Sequence, residues 1–474
     1  MTVKPVKLFN TLTRTVETVS PIEPGKISLY CCGPTVYNYQ HIGNLRTYIF
    51  EDLLVRTLRR AGYKVQHVMN ITDVGHLVSD ADVGEDKMLV AAKREGRKSQ
   101  EIAKFYTDIF FNHCALLNIV RPDVVCNATD HIPQMIEMIK MLEEKDIAYK
   151  AGGNVYFDVN KFAEYGKLAQ LDLDSLMSGA RIEVDSNKRS PLDFALWFTK
   201  SKFENQELQW DSPWGTGYPG WHIECSAMSR KYLGDEFDIH CGGIDHIPVH
   251  HTNEIAQSQG ATGKCPARVW MHGNFLVANT SDGENQKMSK STGEFLTLDL
   301  LQEKQHDPMD YRLFCLGTSY RSELSWSWQA LDAASRSFAK IREQILLLKQ
   351  SDTEDAQPSS EYVNEFEEAI FNDLAMPKAL AVFHRLLKDG SLSAAVRLRT
   401  IAEFDQIFGL DLLSVKETEI PKEITELAQK RLEAKKAKNY SLADTLRKEI
   451  TERGYAVEDS VDGFKVKPIG KTLT

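Results

Sequence analysis

No Cys-x-x-Cys pair occurs in this chain, and eight cysteines are spread thinly over 474 residues. That excludes a disulfide scaffold and leaves free thiols or a dispersed metal site. No segment approaches the ~20 consecutive apolar residues of a membrane span, and residues 1–30 hold no apolar run behind a basic start. A cytoplasmic protein with no membrane partner is expected. Positive charge is not in surplus: 57 Lys and Arg stand against 67 Asp and Glu, a formal net charge of −10. This argues against a protein that coats nucleic acid without specificity, because phosphate binding needs positive potential. Internal repeats and extended low-complexity tracts are also missing, which excludes solenoids.

What is present is ordinary for a soluble multidomain protein, with 42% hydrophobic and 26% charged residues. At ~150 residues per domain the length suggests about three units. Residues 26–32 read as a strand. Leu45, Ile49, Leu53 and Leu54 then recur at helical spacing up to a stop at Gly62, and residues 64–69 resume strand alternation. Strand, helix, strand is the βαβ unit of a parallel sheet, whose ligands bind at the carboxyl ends of the strands. Alternation continues through helices near 97–118 and 132–145 and a strand near 123–127.

Residues 126–204 read as an insertion, so the expected architecture is α/β with a split Rossmann-like catalytic domain over 1–125 and 205–276. Within its second half, strands are expected at 237–240 and 269–276, with a helix at 249–259 between them. A region over 277–327 follows, then a helical bundle over 328–412 that is interrupted by an acidic, polar stretch at 351–361. A polar linker at 414–422 leads to a small module over 420–474, a charged helical segment with a β-like tail at 455–466. In that module Lys430, Arg431, Lys435, Lys436, Lys438, Arg447 and Lys448 outnumber Glu433, Asp444 and Glu449. They form either a local basic surface or a solvated helix face.

Cys32-Gly33-Pro34-Thr35-Val36-Tyr37-Asn38-Tyr39-Gln40-His41-Ile42-Gly43-Asn44 places a strand end, a turn and a helix start in succession. Unpaired N–H groups at a helix start favour phosphate, and an imidazole or amide there can donate to a transferring phosphoryl group. Taken alone, a His and an Asn near a helix start are more often caps. Lys287-Met288-Ser289-Lys290-Ser291 lies in a loop between Asp282-Gly283 and Gly293, where two ammonium groups could close over a polyphosphate. Alone, it is also readable as a solvated basic loop.

Together, and in this order on a split nucleotide fold, the two segments resemble the paired motifs of class I aminoacyl-tRNA synthetases. Cys32, Trp221-His222-Ile223-Glu224-Cys225 and His250-His251-Thr252-Asn253-Glu254 resemble, more narrowly, the zinc-site motifs of cysteinyl-tRNA synthetases. The likeness runs through nearly the whole chain. It implies one zinc ion per chain held by Cys32, Cys225, His250 and Glu254. Two plain observations are compatible with that set: His250 and Glu254 are four apart and share a helix face, while Cys31 and Cys32 point to opposite faces of a strand. Without the resemblance, buried structural cysteines would be the simpler reading.

The resemblance further implies an ATP site at Thr35, His41, Gly43, Asn44, Lys287, Met288, Ser289, Lys290 and Ser291. Of these, His41, Asn44, Lys287 and Lys290 would be catalytic. It implies a cysteine pocket at Gly33, Thr72, Trp221, His240 and Asp245, although Trp221 is also readable as core packing and His240 as a structural histidine. The implied activity is activation of L-cysteine by ATP, carried with Mg2+, and transfer to tRNA(Cys) by a monomer. The region 277–327 would meet the acceptor stem, the bundle would support the tRNA, and the last module would read the anticodon, with Tyr440 among the candidates. Zinc suits the task because an apolar pocket separates near-isosteres by only ~100-fold, whereas a soft metal favours the thiolate of cysteine over the hydroxyl of serine.

Two positions depart from the family pattern. The usual His-Ile-Gly-His reads His41-Ile42-Gly43-Asn44, so a role needing imidazolium falls to His41. The usual glycine after His240 is Cys241, which, like His246, adds a metal-binding side chain to the neighbourhood. One rival is a paralogue that transfers cysteine to an amino sugar, as the mycothiol ligases do. Those relatives lack an anticodon module, and residues 420–474 weigh against them. A noncatalytic tRNA-binding or metal-sensing relative is disfavoured by retention of both phosphate segments.

Overall fold

The structure, a computed structural model, describes residues 3–74, 87–170, 186–200, 207–279, 285–287, 295–352, 355–416, 420–460 and 463–468. It divides into two compact units, one of residues 1–298, 315–327 and 365–380 and one of residues 299–314, 328–364 and 381–474.

The first unit opens with a hairpin, β1 (Lys7–Asn10) and β2 (Thr15–Thr18). Its main layer is a five-stranded sheet built from β3 (Lys26–Cys31), β4 (Lys64–Ile71), β5 (Val124–Asn127), β10 (Phe237–Gly243) and β11 (Ala267–Gly273). The order is β11-β10-β3-β4-β5 and every pairing is parallel. The chain moves outward from β3 through β4 to β5, then returns to place β10 on the other side of β3. The strand order therefore reverses between β3 and β10, and sheets of this kind bind their ligands outside the carboxyl ends at such a point. The strands are nearly all buried, as a sheet covered on both faces requires.

α1 (Ile42–Arg60) crosses from β3 to β4. Leu45, Ile49, Leu54 and Leu58 form its buried stripe, and Gly62, at φ +97°, supplies the left-handed turn into β4. α2 (Lys87–Glu95) and α3 (Ser99–Leu116) precede β5, and α4 (Ile132–Glu144) follows it. α4 packs against α5 (Trp221–Leu233) and α6 (Thr252–Thr262).

Between α4 and α5 lies a separate four-stranded sheet, ordered β6-β7-β8-β9 and antiparallel throughout. Its strands are β6 (Ala148–Ala151), β7 (Asn154–Phe157), β8 (Phe194–Phe198) and β9 (Tyr218–Pro219). The inserted sheet thus runs from Ala148 to Pro219. At the start of the span expected for the insertion, residues 126–127 belong to β5 of the main sheet, and α4 packs with that sheet's helices.

A small third sheet, ordered β13-β12-β14, joins β12 (Leu276–Asn279), β13 (Asn285–Lys287) and β14 (Leu324–Trp326). In place of one strand over 269–276, the chain bends at Asn274 and Phe275 between β11 and β12. α7 (Leu298–Glu303) and α8 (Pro308–Leu316) lie between β13 and β14 in sequence.

The second unit is mainly helical. α9 (Trp328–Gln350) packs on α12 (Ala394–Phe408); α10 (Ser360–Ile370) and α11 (Met376–Lys388) come between them in sequence, each with residues in both units. α13 (Lys422–Lys436) and α14 (Tyr440–Glu452) pair with each other and with the hairpin β15 (Tyr455–Ser460) and β16 (Gly463–Pro468). Ile424, Ala428, Ile450 and Val457 form its small core. No helix among the described residues is long and apolar enough to cross a membrane.

Candidate metal centre and active site

Cys32 leaves the end of β3 at the switch point and is buried, its N–H donating to the Cys241 carbonyl at 3.1 Å. Cys225 comes from the second turn of α5. His250 lies in a single π-helical turn, Ile247–His251, and Glu254 in the first turn of α6. A π turn widens the helix locally and re-aims its side chains, a device common at functional sites. The ligand atoms of Cys32, Cys225, His250 and Glu254 all lie within 4.8 Å of one another. Cys32 Sγ is 3.9 Å from Cys225 Sγ and 3.9 Å from Glu254 Oε1, and His250 Nε2 is 3.1 Å from that same oxygen.

The protonation energetics suit a cation. Burial pushes the Cys32 thiol well up, and the Cys225 thiol and Glu254 add to it. At Cys225 the contact with Cys32 pulls downward, but burial and the charges of Glu254 and Glu224 prevail and the thiol stands raised. Two thiols that resist ionising and one buried carboxylate at such distances are what a divalent ion would relieve, since it favours thiolates and repays the burial of charge. The donor set of two sulfurs, one nitrogen and one oxygen fits a tetrahedral zinc site.

A second group, Cys32, His240, His251 and Glu254, also has its donor atoms within 4.8 Å of one another and shares two members with the first. Glu254 turns its other oxygen to His240 Nε2 at 2.9 Å. His251 Nε2 is 3.3 Å from Cys32 Sγ, and its Nδ1 is 2.8 Å from His272 Nε2, whose Nδ1 meets Thr11 Oγ1 at 2.7 Å. His222 Nδ1 lies 2.9 Å from His250 Nδ1, which orients the ring so that Nε2 faces Glu254. Burial, with the neighbouring imidazoles, holds His251 and His272 far below the ordinary histidine range, so both are neutral. His222 and His251 stand in the quoted motifs without an assigned role, and His272 escapes the sequence reading. For His251 a signal was available, because its i,i+3 spacing to Glu254 puts it on the same helix face.

Of the two unusual neighbours, Cys241 pairs in register with Cys31, so its thiol joins Cys31 on the sheet face opposite Cys32. His246 meets His250 at a tilt and His251 edge-on, with centroids 5.1 Å from each. Neither belongs to the groups that could hold a metal among the described residues. A Cβ at Gly242 would meet His246 Nδ1 at 2.6 Å and His251 Cε1 at 2.8 Å, which explains a glycine there.

The residues expected to hold the amino acid gather at the same strand ends. Gly33 N–H donates to Asn70 Oδ1 at 2.8 Å, and a Cβ on Gly33 would fall 1.6 Å from the Asn70 carbonyl oxygen, so only glycine fits. Thr72 accepts from Asn70 Nδ2 at 3.1 Å and donates to Glu224 Oε2 at 3.2 Å. The Trp221 ring lies 4.5 Å from that of His250. His240 is buried beside Glu254, whereas Asp245 is exposed on a turn after β10.

His41 caps α1: its Nδ1 accepts from the Asn44 N–H at 3.2 Å. An imidazole accepting through Nδ1 carries its proton on Nε2 when neutral, and so presents a donor there. A Cβ on Gly43 would meet His41 Nδ1 at 2.9 Å, so the glycine makes room for the capping ring. Thr35 bridges to Thr72 across the two strand ends. Lys287 ends β13, its backbone opposite Val277; Met288, Ser289, Lys290 and Ser291 lie outside the described residues.

A parallel sheet whose order reverses between β3 and β10, a capped helix start that follows β3 and a buried Cys/His/Glu cluster at the same strand end are the features of a nucleotide-binding α/β enzyme with a group of side chains that could hold a metal. The family described as tRNA synthetases class I (C) catalytic domain matches residues 18–336. The cysteine–tRNA ligase of Treponema denticola is 48% identical over 96% of this chain and 98% of its own length. Cysteine–tRNA ligase 1 of Burkholderia lata is 44% identical over 98% and 97%, and the Borreliella burgdorferi enzyme 42% over 98% and 99%. A methionyl-tRNA synthetase from Mycobacterium tuberculosis superposes with a TM-score of 0.54 over 81% of this chain and 90% of its own, at 15% identity, a likeness of fold alone. The chain belongs to the cysteine–tRNA ligase family of class I aminoacyl-tRNA synthetases.

Proposed function

We propose that the cysteine carboxylate attacks the α-phosphorus of Mg2+-bound ATP in line, with loss of pyrophosphate. The resulting cysteinyl adenylate then passes its acyl group to the terminal ribose hydroxyl of tRNA(Cys), releasing AMP. The observation that carries this reading is the convergence of the Cys32, Cys225, His250 and Glu254 ligand atoms within 4.8 Å, directly beside the glycine that follows β3. Zinc held there, one ion per chain, supplies a soft Lewis acid that favours a thiolate over a hydroxyl. Gly33 and Thr72 border the amino acid, Trp221 walls it, His240 orients Glu254, and Asp245 pairs with the ammonium group. His41 Nε2 and the Asn44 amide donate to phosphate oxygens, while Lys287 and Lys290 neutralise developing charge. Thr35, Gly43, Met288, Ser289 and Ser291 complete the ATP site.

Region 277–327 meets the acceptor stem, the bundle over 328–412 supports the tRNA and residues 420–474 read the anticodon, in a cytoplasmic monomer. The presence of α13, α14, β15 and β16 favours tRNA over an amino-sugar acceptor. The test is ATP–pyrophosphate exchange with cysteine and with serine. Cysteine is expected to support exchange and serine to fall behind by more than the ~100-fold an apolar pocket provides. Equal rates would overturn selection through the thiol.

A further inference from the structure

Arg46, one turn past the cap of α1, is 4% exposed, and its guanidinium donates to main-chain carbonyls. Nη1 donates to Asn274 O at 2.8 Å and Phe275 O at 2.5 Å; Nη2 donates to Ser319 O at 3.2 Å and Ser322 O at 2.6 Å. These carbonyls belong to the two connections that feed the β13-β12-β14 sheet. Phe275 immediately precedes β12, and Ser322 stands two residues before β14, whose Leu324 pairs with Leu276. The connections are tied to each other as well, with Asn274 N–H on Tyr320 O at 2.7 Å and Leu324 N–H on Phe275 O at 3.0 Å. One residue past Leu276, Val277 is the register partner of Lys287. The chain returns to the same helix start beyond Lys287: Ile42 N–H donates to Leu296 O at 2.9 Å, His41 bridges Thr297, and the His41 and Phe295 rings lie 6.2 Å apart.

We propose that Arg46 is a positioning residue for adenylate formation. Its fork of four charge-assisted hydrogen bonds sets the separation between the His41–Asn44 helix start and the strand pair that ends at Lys287. Arginine suits this because one rigid, planar cation with five donors reaches carbonyls of two segments at once, which an ammonium cannot. Both phosphate-binding segments are thereby referred to one helix turn, and reacting groups displaced by about 1 Å lose about 100-fold in rate. The inference rests on the reading that His41 and Lys287 hold phosphate.

The test is cysteine-dependent ATP–pyrophosphate exchange by Arg46→Met, Arg46→Lys and Arg46→Ala, with active sites counted by the burst of adenylate. Arg46→Met is expected to lower kcat per counted site by about tenfold or more, with the KM for cysteine and the bound metal per chain unchanged. Arg46→Lys is expected to fall between the unaltered enzyme and Arg46→Met, and free guanidinium ion to restore part of the rate of Arg46→Ala. A native kcat per counted site in Arg46→Met, with only a lowered melting temperature, would overturn the proposal and leave Arg46 a fold staple. Native exchange in Lys287→Ala would overturn the underlying reading instead.

Discussion

Glu254 holds one oxygen toward His250 and the other toward His240, so a single carboxylate organises both groups of metal-binding side chains. Removing a sulfur should cost more than removing an outlying imidazole, because thiolate binding is what makes the centre soft. Cys225→Ser is therefore expected to lose stoichiometric metal and to raise the KM for cysteine steeply; full metal content in that variant would dismiss it as a ligand. A second prediction concerns His67, buried in β4, with no hydrogen-bond partner for either ring nitrogen among the described residues. Burial brings it down to about 4 from 6.5. Below pH 6.5 the unfolded chain takes up a proton that the native state refuses, so this neutral histidine's contribution to stability is lost as pH falls toward 4. His67→Phe should abolish that component, narrowing the stability difference between pH 8 and pH 5 by about 2 kcal/mol in urea titrations; an unchanged difference would refute it. At this scale the four candidate ligands could be named only through motif resemblance, since no spacing rule joins positions 32, 225 and 250, and what the structure adds is that their donor atoms lie close together. His272 came from β11, a strand with no visible tie to the cluster, and the sequence held no signal for it.

Among the elements, the βαβ start of the sheet and α1 were readable, because apolar periodicity and the stop at Gly62 agree with the tertiary packing. The four-stranded sheet was not legible strand by strand. Its strands β7 and β8 are buried almost throughout and offer no alternation to mark their ends. Strands as short as β13 and β14 carry too few residues for a period. In the last module, Arg431 lies on the buried side of α13 and forks onto Asp459 at 2.8 and 3.2 Å, with Lys435 on the same carboxylate at 2.6 Å. Those two cations, counted with the basic surface in the sequence, instead hold β15, and the Arg431 contact keeps Asp459 well below the ordinary carboxylate range. Asp459→Asn is expected to speed amide exchange across β15 and β16 and weaken tRNA charging, while cysteine-dependent pyrophosphate exchange stays native. A parallel loss of pyrophosphate exchange would contradict that separation.

Across the molecule, the ligand cluster and the capped helix start belong to the first compact unit, and α13 and α14 to the second. Lys430, Lys436, Lys438, Arg447 and Lys448 remain exposed there, with Tyr440 at 62% exposure, although the whole chain carries a charge of −10. Charging should accordingly weaken with rising salt faster than adenylate formation does, since only charging engages the phosphates of a long anion. The cluster was legible in the sequence by counting residues 428–450 locally, whereas the net value says nothing of where cations gather. The most direct measurement is charging of total tRNA with labelled cysteine by enzyme already shown active in cysteine-dependent pyrophosphate exchange. Cysteine esterified to a single tRNA species, with serine left uncharged, is the expected result; active exchange with no cysteinyl-tRNA would contradict the account.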